Sequence, residues 1–269
     1  MPEFLRVMTF NIRGARRKDG ENAWKHRAPL NVGVIRHYAP DLIGFQELQD
    51  ANLRTYRAEL PKYEYDLGPG YGHREPYLRN AIFWNPSRLT PMENGGFWLS
   101  ETPEKHSRSW GSEHARAANW VRFHTLPERT EFLHLNTHLD HGSGTARVEG
   151  SRLIVWRLAS LADGDPAILT GDFNCNPGSR TYRNFAQAGF TDAHRAAGNP
   201  RSNTFHKFQG ESFRPDKEAR IDWILLRGGE RGGEWTVSSC QIVRDCEPPV
   251  YPSDHYPVVA DLTLMQPPV

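Results

Sequence analysis

The sequence lacks most of the features that place a protein in a class on sight. Its 269 residues hold three cysteines, Cys175, Cys240 and Cys246, an odd set without metal-type pairing. That argues against a disulfide-stapled scaffold or a cysteine-rich zinc module and fits reduced thiols in a reducing compartment. No run approaches the roughly 18 consecutive apolar residues of a membrane span. The chain opens on an alternating strand pattern, Phe4 to Phe10, without a charged-then-apolar leader, so a cytoplasmic location is expected. Repeats, low-complexity tails and breaks in composition are also missing, which predicts one domain over residues 1–269; a monomer is expected. Charge of one sign is in short supply: the net charge is +1, and a polyanionic partner is not demanded by it. Lysine is scarce too, since 27 of the 33 basic residues are arginine. Arginine's planar fork suits phosphate, although genomic base composition or selection for thermostability produces the same bias.

What is present is an alternation of short strands and a few helices. Apolar residues are 38% and charged residues 24%, as in a globular protein with a sizeable core. Strand one ends at Asn11. Apolar spacing then predicts a helix from Trp24 to Tyr38, stopped at Ala39-Pro40. Asp41 to Gln46 reads as a strand that delivers Glu47, and residues 49–60 as a helix. Strands follow at Tyr63 to Asp66, Asn80 to Trp84, Leu89 to Leu99, Asn119 to His124 and Glu131 to Asn136. Gly68 to Gly72 is a glycine-rich loop with no helix after it, so it is not a nucleotide cradle. Ala146 to Leu161 is a helix with Leu153, Ile154, Trp156, Leu158 and Leu161 on its apolar face. A short helix is expected near Thr181 to Ala188, then strands at Arg220 to Leu226 and Val258 to Leu264.

The stretch Leu169-Thr-Gly-Asp-Phe-Asn-Cys-Asn-Pro177 organises the rest. A buried strand runs into Asp172 and Asn174, which share one face if the strand conformation persists. A carboxylate and a carboxamide side by side suit a hard metal, or a water to be held and deprotonated. The same residues also make ordinary turns, and Cys175 among them fits a small buried residue as well as a reactive thiol. Other strand ends repeat the pattern: Asn11, Glu47, His138, and Asp254 with His255. Asp222 is set among apolar neighbours and needs a partner to be tolerated there.

In this order, Asn11, Gln46-Glu47, Asn136-Thr-His-Leu139, Gly171-Asp-Phe-Asn174, Ile221-Asp222 and Ser253-Asp-His255 resemble the endonuclease/exonuclease/phosphatase superfamily. The likeness runs from the first strand to the last. Phe97-Trp-Leu-Ser-Glu-Thr-Pro103, Arg116 and Asp140-His141 further resemble a compact bacterial branch. The resemblance implies an α/β fold, a four-layered sandwich of two mixed sheets flanked by helices. It implies Glu47, Asn11 and Asp254 around a divalent ion, Mg²⁺ or Mn²⁺. It gives Asp172 the attacking water, Asn174 the phosphate, and His255, paired with Asp222, the developing charge. His138 takes the second imidazole position, with Glu75 as the acid that orients it, and Arg116 a phosphate fork.

The substrate implied is a phosphate ester, with DNA or RNA as candidates. Phosphodiester hydrolysis is the leading expectation. A phosphomonoesterase or a lipid or sugar-phosphate hydrolase on the same site is the alternative, and a non-catalytic phosphate-binding protein a third. Arg13, Arg16, Arg17 and Lys18 after strand one make a modest basic patch. Trp98, Trp110 and Trp120 could stack a base or a sugar.

Overall fold

The computed structural model describes residues 3–15, 17–72, 77–216, 219–230 and 232–265. In chain order its strands are β1 (Glu3–Asn11), β2 (Leu42–Gln46), β3 (Glu64–Asp66), β4 (Gly70–Tyr71), β5 (Leu78–Arg79), β6 (Ile82–Trp84), β7 (Leu89–Trp98), β8 (Ala117–Thr125), β9 (Glu131–His138), β10 (Ala167–Asp172), β11 (Thr191–Asp192), β12 (Asp222–Arg227), β13 (Glu234–Ile242) and β14 (Val258–Met265). The α-helices are α1 (Trp24–Tyr38), α2 (Asp50–Glu59), α3 (Gly144–Ala162), α4 (Arg180–Gln187) and α5 (Ala193–Ala196).

Among the described residues, two six-stranded mixed sheets form, in the orders β13-β14-β1-β2-β6-β3 and β11-β12-β10-β9-β8-β7. Alternation along each strand sorts side chains between two faces. The outer face of the first sheet (Met8, Phe10, Ile43, Phe45) packs on α1 and α2 through Val34, Ile35 and Tyr56. The outer face of the second (Leu133, Leu135, Leu169, Leu225) packs on α3 and α4 through Ile154, Leu158 and Phe185. The inner faces meet through Leu5, Val7, Leu42, Phe132, Ile168 and Ile224. The expected four-layered α/β sandwich is the observed one.

Local chemistry sets the boundaries. Helix α1 stops where Ala39 turns left-handed at φ 44° and its N–H caps the Ile35 carbonyl. Ser143 and Ser179 each accept a backbone N–H at the starts of α3 and α4. Trp156 departs from expectation: it is 66% exposed on α3, with the Arg157 guanidinium 5.2 Å from its ring, rather than on the apolar face. The helix turns its core stripe through Ile154 and Leu158, and a bulky ring two positions on points outward. β9 runs two residues further than expected, so His138 is still on a strand.

Register then decides what meets. β10 pairs in parallel with β9 and antiparallel with β12, aligning Asp172 with His138 on one side and Asp222 on the other. In the facing sheet β1 and β2 align Asn11 with Gln46, so Glu47 emerges at the same end.

Candidate active site

Asp172 is the hub of that end. Its Oδ2 accepts the Asn11 Nδ2–H at 2.9 Å and lies 3.3 Å from His138 Nε2 and 3.9 Å from His255 Nε2. Its Oδ1 accepts the Asn174 backbone N–H at 2.9 Å. His255 Nδ1 sits 3.0 Å from Asp222 Oδ2. Asp254 Oδ2 lies 3.4 Å from Arg13 Nη1, and Ser253 Oγ–H donates to the Asn11 carbonyl at 2.6 Å, tying the last loop to the first strand. These groups are all buried, apart from Arg13 and Asn174, which are half-buried at the edge of a cleft of about 620 Å³.

Three residues here hold positive φ without being glycine: Arg13 at 59°, Glu47 at 63° and Asn174 at 50°. Such backbone costs about 1 kcal/mol or more each and persists where the surroundings over-determine it. The strand does not persist to Asn174, so the sharing of a face expected for Asp172 and Asn174 is replaced by a turn. Asp172 Oδ1 closes that turn, and Asn174 Nδ2 donates to the Leu139 carbonyl at 3.0 Å. Turn chemistry and site chemistry coincide at the same two residues.

Burial and like charge set the electrostatics. Desolvation, then the Asp222 charge, push Asp172 well above the ordinary carboxylate range, opposed by His255 and Asn11. For His255 desolvation works downward, but the Asp222 charge and hydrogen bond outweigh it, helped by Asp172 and Asp254. Its imidazole is therefore held well above its usual value, as a cation. Asp254 is raised mainly by burial, with His255 and Arg13 opposing and Glu47 adding to the rise.

Two groupings can hold an ion. Asp172, Asp222 and His255 each offer a ligand atom within 4.8 Å of the others. An ion there would compete with the Asp222–His255 hydrogen bond. Glu47 and Asp254 form an oxygen-only pair whose mutual repulsion a hard cation would offset, a donor set suited to Mg²⁺ or Mn²⁺. Asn11 Oδ1 accepts the Arg13 N–H at 3.0 Å, and its Nδ2 faces Asp172 and, at 3.5 Å, Glu47. It bridges the two carboxylates.

Of the other residues singled out, Arg116 borders the cleft, with its Nη2 3.0 Å from His141 Nδ1 and its Nε 3.6 Å from Asp140 Oδ2. Glu75 lies outside the described residues, as does Arg16. Sequence reasoning missed Tyr71. It is fully buried, its hydroxyl accepts the Glu47 N–H at 3.0 Å and lies 3.2 Å from His138 Nδ1. One hydroxyl thus links the carboxylate loop of one sheet to the imidazole of the other. Its only sequence signal was an aromatic residue inside a glycine-rich loop.

A sequence model of the Endonuclease/Exonuclease/phosphatase family matches residues 8–255. The chain belongs to this family. A family protein of Bacteroides thetaiotaomicron matches with a TM-score of 0.87 and 30% identity, over 98% of this chain and 96% of that one. A mannosyl-6-phosphatase of the same organism matches with a TM-score of 0.87 and 30% identity, over 96% and 99%. A protein of Acanthamoeba polyphaga mimivirus is 28% identical over 166 residues, 56% of this chain and 59% of the relative. The chain therefore spans about three fifths of that curated relative. Within the family match fall Gly171-Asp-Phe-Asn174 and Ser253-Asp-His255, of which Asp172, Asn174, Asp254 and His255 line the cleft.

Proposed function

We propose that this family member is a divalent-metal-dependent phosphomonoesterase acting on a small phosphorylated substrate. The observation that carries the reading is the near-full-length likeness, at 30% identity, to a mannosyl-6-phosphatase. Phosphodiester hydrolysis of nucleic acid, the leading expectation from sequence, draws less support. Arg13 is turned inward to Asp19 and Asp254 instead of joining an outward basic stripe. Trp98, Trp110 and Trp120 do not line the cleft, and Trp98 Nε1–H is spent on the Gly70 carbonyl.

In this reading Asp172, its proton affinity raised toward neutrality, takes the proton of the attacking water. His255, kept charged by Asp222, donates to the phosphoryl oxygen on which charge develops. His138, held by Asp172 and Tyr71, serves the leaving oxygen. Arg116 and Asn174 face the remaining oxygens. Glu47 and Asp254 would hold the Mg²⁺ or Mn²⁺, with Asn11 spacing Glu47 from Asp172. The ion, when bound, offsets phosphoryl charge and lowers the pKa of a bound water.

The test is phosphate release from p-nitrophenyl phosphate and a hexose 6-phosphate, beside nitrophenol release from bis-p-nitrophenyl phosphate, in Mg²⁺, Mn²⁺ or EDTA. Faster, EDTA-sensitive turnover of the monoesters is expected. A preference for the diester would return the protein to the phosphodiesterase reading.

A further inference from the structure

The cleft is larger than a phosphate group requires, and part of its wall is a strained strap. Consecutive non-glycine residues Lys207 and Phe208 both adopt left-handed backbone, at φ 53° and 58°. Their surroundings enforce it. The N–H groups of His206 and Lys207 both donate to the Asp254 carbonyl, at 2.9 and 3.1 Å, and the Gly210 N–H donates to His206 Nδ1 at 3.1 Å. The Phe208 ring lies 6.0 Å from the guanidinium of Arg27. That buried guanidinium is itself fixed by the carbonyls of Ile12, Gly14, Asn22 and Pro252.

Filling the core does not explain this conformation, because Phe208 is only half-buried and Lys207 is exposed, and both border the cleft. Backbone strain held in place at a site edge is the usual mark of a positioned binding element. Asp19 borders the same cleft, where its two carboxylate oxygens face Arg13 Nε and Nη2 at 3.3 Å. An aromatic residue, a carboxylate paired with Arg13 and a lysine thus line the same cleft as the residues that would hold the phosphoryl end.

We propose that Phe208, Asp19 and Lys207 form the leaving-group subsite and that it takes the ring of a sugar phosphate. The aromatic face receives the apolar C–H side of the ring. The Asp19 carboxylate, held by Arg13, keeps lone pairs that accept from ring hydroxyls, and the Lys207 ammonium donates to a hydroxyl oxygen. The inference rests on the phosphomonoesterase reading and names its substrate class.

Phe208→Ala and Phe208→Tyr enzymes, compared with the unmodified chain on a hexose 6-phosphate and on ethyl phosphate, test it. In Phe208→Ala the ratio of kcat/KM for the sugar phosphate over ethyl phosphate is expected to fall at least tenfold, through KM, while Phe208→Tyr restores it. An unchanged ratio in Phe208→Ala overturns the subsite even if both monoesters are hydrolysed. Calorimetry on Asp172→Asn enzyme separates this from a failure of the reaction itself. Hexose 6-phosphate binding that weakens on adding Phe208→Ala supports the subsite, and absence of binding, or binding indifferent to Phe208, overturns it.

Discussion

The layer between the two sheets has two ends built on the same strands by opposite rules. At one end Leu5, Val7, Leu42, Phe132, Ile168 and Ile224 interlock and exclude water. At the other, Asn11, His138, Asp172 and Asp222 occupy the equivalent inward positions on β1, β9, β10 and β12, with Glu47 and His255 beside them. Between them lies a neutral polar belt. Asn136 donates to the Phe45 and Ala81 carbonyls and accepts from Gln46 and Thr170, and His134 Nε2 meets Thr170 Oγ1. Gly44 makes room for it, since a Cβ there would collide with Thr170 Oγ1 and Asn136 Oδ1. The strands pass from apolar to hydrogen-bonded to ionised within a few residues. The first zone supplies stability, the last holds charges that burial disfavours, and the belt lets one structure carry both.

The largest expected effect separates the two ends. Asp172→Asn or His255→Ala should cost about 10²-fold or more in kcat with the fold retained. Ile168→Ala should do the reverse, losing about 3 kcal/mol of stability with kcat per folded molecule nearly unchanged. Kinetics paired with urea unfolding checks both, and a kinetic collapse in Ile168→Ala would break the division. Asn136→Leu, in the belt, should cost about 2–3 kcal/mol by stranding the Phe45 and Ala81 carbonyls, read from the urea midpoint. Tyr71→Phe should slow turnover about tenfold, a loss near 1.4 kcal/mol, by freeing His138 and the Glu47 loop, and should cost about 1–2 kcal/mol of stability by removing the acceptor of the buried Glu47 N–H.

The smallest effect is a pH slope. Burial pushes both His134 and His206 down to about 3. An unfolded histidine titrates near about 6.5, so between these values the unfolded chain binds more protons and stability rises with pH. Their contribution is complete above about 6.5 and is lost as pH falls toward 3. Asp172 and Asp254, raised by burial, act in the opposite sense in the same window, so the histidine share is read as a difference: His134→Leu should remove up to one proton from the slope of urea midpoint against pH. A slope unchanged in His134→Leu would contradict it.

How much of this was legible in the sequence depends on the kind of signal. Helix α1 and strand β10 announce themselves by period and by a fully apolar run. The motif residues Asp172, Asp222 and His138 stood at strand ends, where strand register brings them together, and His255 joins them from the loop before β14. Residues that act through three-dimensional neighbours carried no such mark. Tyr71 looks like any aromatic in a glycine-rich loop, and the left-handed backbone of Glu47, Lys207 and Phe208 has no residue signature without glycine. Trp156 failed for another reason: a bulky apolar residue near a helix stripe is counted into it, yet on α3 a neighbouring arginine covers the exposed ring.

The most direct measurement pairs rate and stability on one variant: Asp172→Asn, assayed with p-nitrophenyl phosphate in Mg²⁺ and unfolded in urea without metal. A carboxylate buried against its preference for solvent predicts monoester hydrolysis reduced at least about 10²-fold and stability unchanged or raised. Hydrolysis at the unmodified rate, or a variant that loses stability as a core residue would, contradicts the account of this end of the layer as the catalytic one.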